Sequence, residues 1–344
     1  MRWPQLDFAR RTTSVNTMKI TTSIFLFPAL LLTVTGCDER ISGNTTEIAA
    51  SAVQAKKLTP EKLPAELQKD AEFENAESQA KMGWEYFNGD GVAQDAVKAV
   101  EWWQKAAAQY RLAAERGNAL AQFSLGMAYY NEQGVPQDYK EAEKWLRLAA
   151  DQGNVLAQFN LGWMHESGKG IPRNYKEAEK WYRLAAGQGH AQAQFNLGAM
   201  YDQAKGIPQN YKEAEKWYRL AADQGYAQAQ FSMGVIYALG KGAQQDYKEA
   251  GKWYLLAAEQ GHTQAQLNLG VMYSQGQGVQ QDYILAYLWG NVAANANDND
   301  DKLQKSAVEL QKSLEAQMAP GQIIKAQKLA IKCIANKFKV CQAY

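Results

Sequence analysis

The stretch that decides the fold is residues 119–154, which read ALAQFSLGMAYYNEQGVPQDYKEAEKWLRLAADQGN. Similar copies follow it without gaps at 155–190, 191–226, 227–262 and, with more differences, 263–298. A looser copy precedes it at 76–118. A fixed period of 36 residues predicts a repeat architecture, in which each copy folds into one supersecondary unit and packs against its neighbours.

The second half of each copy has the signals that begin and end a helix. In the first full copy, Asp138 is followed three residues later by Glu141, which is the spacing of a capping box. Gly153 follows the last turn, where a left-handed residue commonly ends a helix. The residues at helical spacing that we expect on the buried face are Ala142, Trp145, Leu148 and Ala149.

The first half of each copy predicts a second helix, with Ala121, Leu125 and Tyr129 on one face. Gly126 lies in its middle, and a glycine recurs at this position in every copy. A mid-helix glycine costs about 1 kcal/mol relative to alanine. We therefore expect the neighbouring helix to approach so closely that a side chain would not fit.

Each predicted helix pair has a wider apolar face than its own two helices can cover, so the next pair must cover the remainder. The sequence therefore predicts an all-α fold: a right-handed α-solenoid of stacked antiparallel helix pairs with a C-terminal helical cap. The first copy, 76–118, is seven residues longer than the others, which lengthens its second helix by two turns. Trp102 and Trp103 are expected to cover part of its open face.

These residues resemble the Sel1-like repeat family, which is related to the tetratricopeptide repeat. The similarity rests on the pattern A-x-A-Q-F-x-L-G-x-M-Y, a G-x-G turn and D/N-Y-x-E-A-x-K-W-Y-x-x-A-A-x-Q-G, over about 76–298. The resemblance implies a scaffold for protein–protein contacts. Cysteine-rich members of the family have been associated with β-lactam binding or hydrolysis, but the repeats of this chain lack the cysteine pairs that those members carry.

Residues 18–37 have the pattern of a bacterial export signal, with a basic start and an apolar stretch at 24–34. The stretch is shorter than the about 20 residues that span a bilayer. Val-Thr-Gly-Cys at 34–37 resembles a lipobox, so we expect Cys37 to carry a lipid. An ordinary cleaved signal with an incidental cysteine is the alternative.

This interpretation also sets the other N-terminal boundaries and the location. Residues 1–17 would be an upstream extension, and the polar residues 38–72 would be a flexible tether. We expect a membrane-anchored lipoprotein of the bacterial cell envelope that faces the periplasm or the cell surface.

Polar and variable positions on the first helices are the candidate protein-binding residues, because in related solenoids these helices line the concave surface. A glutamine row and an asparagine or serine row could bind an extended peptide, or could instead hydrogen-bond the next repeat and hold the stack. Positions that differ between copies are further candidates, because a partner recognises differences. The candidates are Gln158, Asn160, Trp163, Gln194, Asn196, Asp202, Gln230 and Asn268, with Glu166 and Leu239 as further variable positions.

Charge and histidine content exclude two classes of partner. The chain has 37 Lys+Arg, 36 Asp+Glu and a net charge of +1, so it lacks the basic excess of a nucleic-acid-binding protein. His190 and His262 occupy the same slot two repeats apart, too far to share a metal, and His165 replaces a repeated tyrosine. We expect no metal, cofactor, nucleic acid or small-molecule substrate.

Residues 299–344 predict a cap with helices at about 302–317 and 321–336. Cys333 and Cys341 are available for a disulfide if the protein is exported. On one continuous helix they would lie ~12 Å apart, beyond bonding reach. The disulfide therefore requires the helix to end near Asn336.

One motif suggests catalysis. Ser78-Gln79-Ala80-Lys81 matches the S-x-x-K pattern of serine β-lactamases, but the S-D-N and K-T-G companions are missing. We therefore predict a non-enzymatic scaffold that binds a protein or peptide on the concave face. The alternatives are a periplasmic hydrolase of β-lactam or cell-wall substrates and a structural component of a secretion or motility complex.

Overall fold

The computed structural model describes residues 75–296, 301–338 and 341. Cys37, the expected export signal at 18–37, the tether at 38–72 and the extension at 1–17 lie outside the described residues. The described residues form fourteen helices and no strand. The chain divides into two compact units between Gln109 and Tyr110. The first two helices are α1 (Ala76–Asn88) and α2 (Ala96–Glu115), and the division falls within α2.

The second unit continues with five helix pairs. They are α3 (Ala119–Asn131) with α4 (Tyr139–Asp151), α5 (Val155–Ser167) with α6 (Tyr175–Gly187), α7 (Ala191–Asp202) with α8 (Tyr211–Asp223), α9 (Ala227–Leu239) with α10 (Tyr247–Ala258), and α11 (Thr263–Gln275) with α12 (Tyr283–Ala294). Within α3–α12, each first helix packs against the second helix of its own pair, and each second helix packs against the first helix of the next pair. This arrangement confirms the predicted all-α solenoid.

The second helices begin at the expected residues, but the predicted capping box is only half formed. In α8, the Asn210 side chain accepts hydrogen bonds from the backbone amides of Lys212 and Glu213, both at 3.1 Å. The backbone N–H of Asn210 does not need the Glu213 side chain, because it donates to the carbonyl of Tyr201 on α7 at 3.1 Å. The cap residue therefore ties the second helix to the end of the first.

The glycines that end the second helices have the left-handed conformation that their position predicts. Gly225 has φ 84°, and the next amide, of Tyr226, donates to the carbonyl of Ala221 at 3.1 Å. The Gly225 amide donates to Ala222 at 2.9 Å. These two bonds form a Schellman motif, which satisfies carbonyls that the helix end would otherwise leave free.

The mid-helix glycines lie where a second helix approaches closely, as predicted. A Cβ atom on Gly126 would lie 2.8 Å from Leu146 Cγ, and one on Gly198 would lie 2.8 Å from Tyr218 Cδ1. Both distances are too short for carbon atoms in contact. Glycine at this position therefore lets the two helices of a pair come together around one large buried side chain.

Leu148 was expected on the buried face of α4, and this prediction is wrong. Its side chain is 42% exposed, whereas Leu146 is fully buried. The reason is that α4 packs against both α3 and α5, and these contacts use the positions of Ala142, Leu146 and Ala149. The equivalent leucines are exposed as well, which leaves a leucine row on the second helices: Leu112, Leu148, Leu184, Leu220 and Leu256.

Trp103 in the first unit also differs from expectation. It was expected to cover an open face, but its ring lies against Gly83, the position that Leu146 and Tyr218 take in later pairs. Its ring centroid is 5.4 Å from that of Trp84 and 5.6 Å from that of Phe87. Trp103 therefore fills the core of its own helix pair, whereas Trp102 is only half-buried.

Two further helices follow the repeats, α13 (Asp301–Glu315) and α14 (Pro320–Ala335). Both pack against α12, where Leu314, Met318 and Ala326 form a buried cluster with Tyr287. Helix α14 ends at Ala335 with Asn336 as its C-cap, and Lys337 and Phe338 then have positive φ. This turn brings Cys341 back to α14, and the structure joins it to Cys333 in a disulfide with a Cα–Cα distance of 4.9 Å.

Candidate protein-binding surface

The glutamine row lies inside the stack. Gln194 is 4% exposed, and its amide donates to the carbonyl of Ala186 on α6 at 3.1 Å. Its side-chain oxygen accepts a hydrogen bond from Gln224 at 2.7 Å. Gln158 and Gln230 make the same two contacts with their own neighbours. The geometry matches the second interpretation of this row, in which the glutamines join adjacent helix pairs.

The side chains of the asparagine and serine row are also largely engaged in contacts within the solenoid. Asn160 is 5% exposed and donates to the Leu156 carbonyl at 2.7 Å. Asn196 is half-buried and lies within hydrogen-bonding reach of the Tyr182 hydroxyl. Asn268 is buried and lies within hydrogen-bonding reach of the Tyr254 hydroxyl. Because these tyrosines belong to the preceding repeat, the row connects successive pairs. Whether the candidates in either row bind a partner stays a prediction.

Trp163 is the aromatic candidate, and it remains half-buried on α5. Its ring centroid is 5.9 Å from that of Tyr130, in an edge-to-face arrangement. The Lys169 ammonium lies 5.2 Å from the Tyr130 ring centroid. Because Tyr130 holds one side of the Trp163 ring while part of the ring stays in solvent, the tryptophan can provide apolar contact area to a partner at low entropic cost.

Glu166 lies three residues after Trp163, on the same side of α5. Its carboxylate accepts a hydrogen bond from the Tyr182 hydroxyl at 2.8 Å and pairs with Lys205 of the next repeat at 3.2 Å. Burial, and then the Glu166 charge, raise the pKa of Tyr182 well above its ordinary value. The glutamate side chain is 21% exposed and that of Lys205 is 39% exposed, so a partner can reach this pair.

Asp202 takes the position of Glu166 one repeat later. It is half-buried, and burial raises the pKa of its carboxyl group, while the positive charge of Lys241 acts in the opposite direction. Its charge in turn helps to raise the pKa of Tyr218, after burial. An acidic side chain therefore faces the turn lysine of the next repeat in two successive repeats.

Together these residues form a surface that we call the variable row: Trp163, Glu166, Asp202, Lys205 and Lys241. Sequence reasoning found the members on the first helices but missed the lysines. Lys169, Lys205 and Lys241 recur at intervals of 36 residues in the turns. That period was the available signal, but nothing in one copy shows that a turn lysine meets the previous repeat.

The histidines have structural positions. Nδ1 of His190 accepts from the Ala193 amide at 3.2 Å, so His190 is the N-cap of α7, and its ring stacks on Phe159 at 4.6 Å. His262 caps α11 in the same way. His165 is 6% exposed, and among the described residues its ring nitrogens have no hydrogen-bond partner, although Glu143 lies 3.6 Å away.

The described residues give no support for chemistry at the other sites considered. Ser78 lies in the first turn of α1, where its backbone amide donates to Asn75, and Lys81 is exposed. No group of three or more His, Cys, Asp or Glu in the described ranges could hold a metal. Over the same ranges, no helix combines the length and the apolar character needed to cross a membrane.

The fold and its repeated contacts place the protein in the class of α-solenoids that are built from short helix pairs. The sequence matches the family model of the Sel1 repeat at residues 76–110, 119–154, 155–190, 191–226, 227–262 and 263–298. These segments make up more than half of the chain, so the chain belongs to the Sel1 repeat family. Sel1 repeat proteins are generally scaffolds for protein–protein interaction. No curated protein matches the sequence.

Solved structures show the same relationship. A Sel1 repeat protein from Oxalobacter formigenes is 32% identical with a TM-score of 0.52, and the match covers 66% of this chain and 88% of that chain. A protective antigen from uropathogenic Escherichia coli strains, c5321, which displays an SLR fold, is 30% identical with a TM-score of 0.46. That match covers 80% of this chain and 72% of the antigen. The Oxalobacter structure supports the solenoid fold.

Proposed function

We propose that this protein is a non-catalytic scaffold of the bacterial cell envelope that binds a protein or peptide through the variable row. One observation carries the proposal. In the four helix pairs between 119 and 262 the repeated glutamine makes the same two hydrogen bonds. The half-exposed positions near it change along the stack, from Glu166 to Asp202 and from Trp163 to Ala199. Identical contacts are what a stack needs, and differences between repeats are what a specific partner can recognise.

The chemistry of the row indicates the kind of segment that fits. Trp163 offers an apolar edge, and Glu166 with Lys205 and Asp202 with Lys241 present alternating charges. A peptide with one large apolar side chain followed by basic and acidic groups would complement this order. Because the carboxylates are partly desolvated, a mismatched charge would be costly there.

A site-specific photo-crosslinker tests which surface the partner contacts. Benzoylphenylalanine at position 163 should give a discrete crosslinked product in cell-envelope extracts. The same probe at position 184, on the exposed leucine row of the second helices, should not give that product. If position 184 gives the product and position 163 does not, the variable row is not the binding surface.

Charge variants then test the contacts themselves. Glu166→Gln with Asp202→Asn should weaken binding of the crosslinked partner about tenfold, because each removes a partly buried charge contact. Glu213→Gln with Glu249→Gln removes the same charge from pairs with lysines that are more exposed than the Glu166 pair and serves as the control. Equal affinities for both double variants would contradict the proposal.

The envelope part of the proposal rests on the segment around Cys37, which resembles a lipobox. Metabolic labelling with a fatty acid should mark the protein, and Cys37→Ser should abolish the label. Absence of the label from the unaltered protein would remove the lipid anchor from the proposal, while leaving the binding surface to its own test.

A further inference from the structure

Helix α14 differs from the other helices in the character of its outer side. Ala326, Ala330 and Cys333 are buried, in apolar clusters that include residues of α12. On the opposite side, Ile324 is 52% exposed and Ile331 is 69% exposed. These isoleucines are seven residues apart, so they form one ridge along two turns. Ile334 is a further exposed isoleucine near the end of the helix, at 40%.

A lysine row runs beside this ridge. Lys325, Lys328 and Lys332 are spaced at intervals of three and four residues, which places them on one side of the helix. The segment 320–335 contains no aspartate or glutamate. A shallow hollow of about 360 Å³ lies among these lysines, Ile324 and Leu329. Its lining therefore combines positive charge with apolar surface.

The second helices of the repeats show that exposed apolar groups and lysines do not by themselves make such a surface. The exposed Leu148 on α4 has Lys144 four residues before it, but Lys144 pairs with Glu141 at 3.1 Å. Helices α6, α8 and α10 likewise carry glutamates among their lysines. Among the helices of the described residues, only α14 combines exposed branched apolar residues with a lysine row and no carboxylate of its own.

We propose that α14 is a membrane-docking helix that binds the surface of a bilayer rich in anionic phospholipid. The isoleucine ridge would enter the boundary between headgroups and acyl chains, and the lysines beside it would reach the headgroup phosphates. A bilayer supplies negative charge and apolar depth next to each other over the whole length of the helix. An acidic protein surface would match the lysines but not Ile331, which is the most exposed large hydrophobic side chain of the described residues.

The proposal does not depend on a lipid at Cys37, which lies outside the described residues. If both exist, α14 would add a second membrane contact at the other end of the chain. Two weak signals together give stable membrane association, whereas one is reversible.

A local probe tests this in the full chain. Ile324→Cys, labelled with the fluorophore NBD in a Cys37→Ser background, reports the environment of α14 and not that of the apolar stretch at 24–34. We expect its emission to rise and shift to the blue on vesicles of phosphatidylcholine and phosphatidylglycerol in equal parts. Vesicles of phosphatidylcholine alone should leave it unchanged.

Substitutions separate the two components of the surface. Changing Lys325, Lys328 and Lys332 together to glutamine should weaken binding on the order of a hundredfold, from about fivefold per lysine. Ile331→Ser should weaken it about tenfold. The controls are a triple glutamine variant of the exposed lysines Lys140, Lys176 and Lys212, with the same change in net charge, and Val97→Ser at a 63% exposed valine.

Three results would overturn the proposal. The first is an unchanged probe spectrum on anionic vesicles. The second is an equal loss of binding in the α14 triple variant and in its control, which would indicate an unspecific effect of net charge. The third is a response to soluble polyglutamate and not to vesicles, which would make α14 a contact for an acidic protein. Circular dichroism of each variant shows whether the fold is retained.

Discussion

Replacing Gly198 by alanine is expected to destabilise the solenoid, although alanine is the better helix former. A Cβ atom at this position would lie 2.8 Å from Tyr218 Cδ1, 3.0 Å from Tyr218 Cε1 and 3.2 Å from the carbonyl oxygen of Ala214. Tyr218 cannot move away easily, because it is 3% exposed and its hydroxyl lies within hydrogen-bonding reach of Ser232. The carbonyl is part of a helix backbone and is equally fixed.

Two opposing effects set the expected change in the free energy of unfolding of Gly198→Ala. Overpacking in a closely packed core costs about 1–3 kcal/mol, whereas the change from glycine to alanine in a helix gains about 1 kcal/mol. We therefore expect Gly198→Ala to lose up to about 2 kcal/mol of stability. Gly187 at the end of α6 is the matched control, because it is exposed and a Cβ atom there would meet nothing within 4 Å. Gly187→Ala should be neutral or stabilise by up to about 1 kcal/mol.

Urea unfolding followed by circular dichroism measures the global effect in both variants. Because repeat arrays do not always unfold in one step, amide hydrogen exchange should be measured as well. We expect faster exchange in α7 and α8 of Gly198→Ala than in α3 and α4. A Gly198→Ala protein as stable as Gly187→Ala would refute the idea that close helix approach explains the glycine.

Two further predictions concern His165 and the disulfide. Burial lowers the pKa of His165 below its ordinary value of 6.5. Because the unfolded chain then takes up the proton first, stability falls as pH decreases below about 6.5. His165→Tyr should flatten this part of a pH series of urea midpoints and add about 1 kcal/mol of stability; parallel pH profiles of the two proteins would contradict this. Replacing Cys333 and Cys341 by serine opens a loop of eight residues and should cost about 2–3 kcal/mol. Hydrogen exchange should place this loss in 320–335 and leave 119–226 unchanged; unchanged protection of α14 would contradict it.

The tyrosine expected to improve position 165 is the residue that other repeats have there. Between the neighbouring helices α8 and α9, Arg219 donates a hydrogen bond to the Tyr237 hydroxyl at 2.6 Å. Glu143 and Arg147 are the corresponding charged groups around His165, and Glu177 and Lys180 also lie near enough to affect its charge. His190 also has a pKa lowered by burial, but it is present in both proteins, so the comparison isolates His165.

Much of the fold could be predicted because its signals are local. Asn210 caps α8 through amides two and three residues away, and Gly225 ends the same helix by its own left-handed conformation. The mid-helix glycine indicated a close helix approach because no local cause explains it. The surroundings of the candidate site residues were harder to predict. Gln194 and Asn160 were chosen as polar residues on a repeated face, but a period alone does not distinguish a face in solvent from a face between helices.

The sequence by itself determined the repeat, its helix ends and the need for stacking, because these depend on residues within one copy of 36. Only the tertiary structure decided which side chains are buried or hydrogen-bonded between neighbouring helix pairs. Gln224 meets Gln194 across a separation of 30 residues, and Lys205 meets Glu166 across 39. Such contacts depend on the offset between neighbouring pairs, which arises from the packing of whole helices and is not encoded at any single position. The same packing buries Leu146 and leaves Leu148 in solvent.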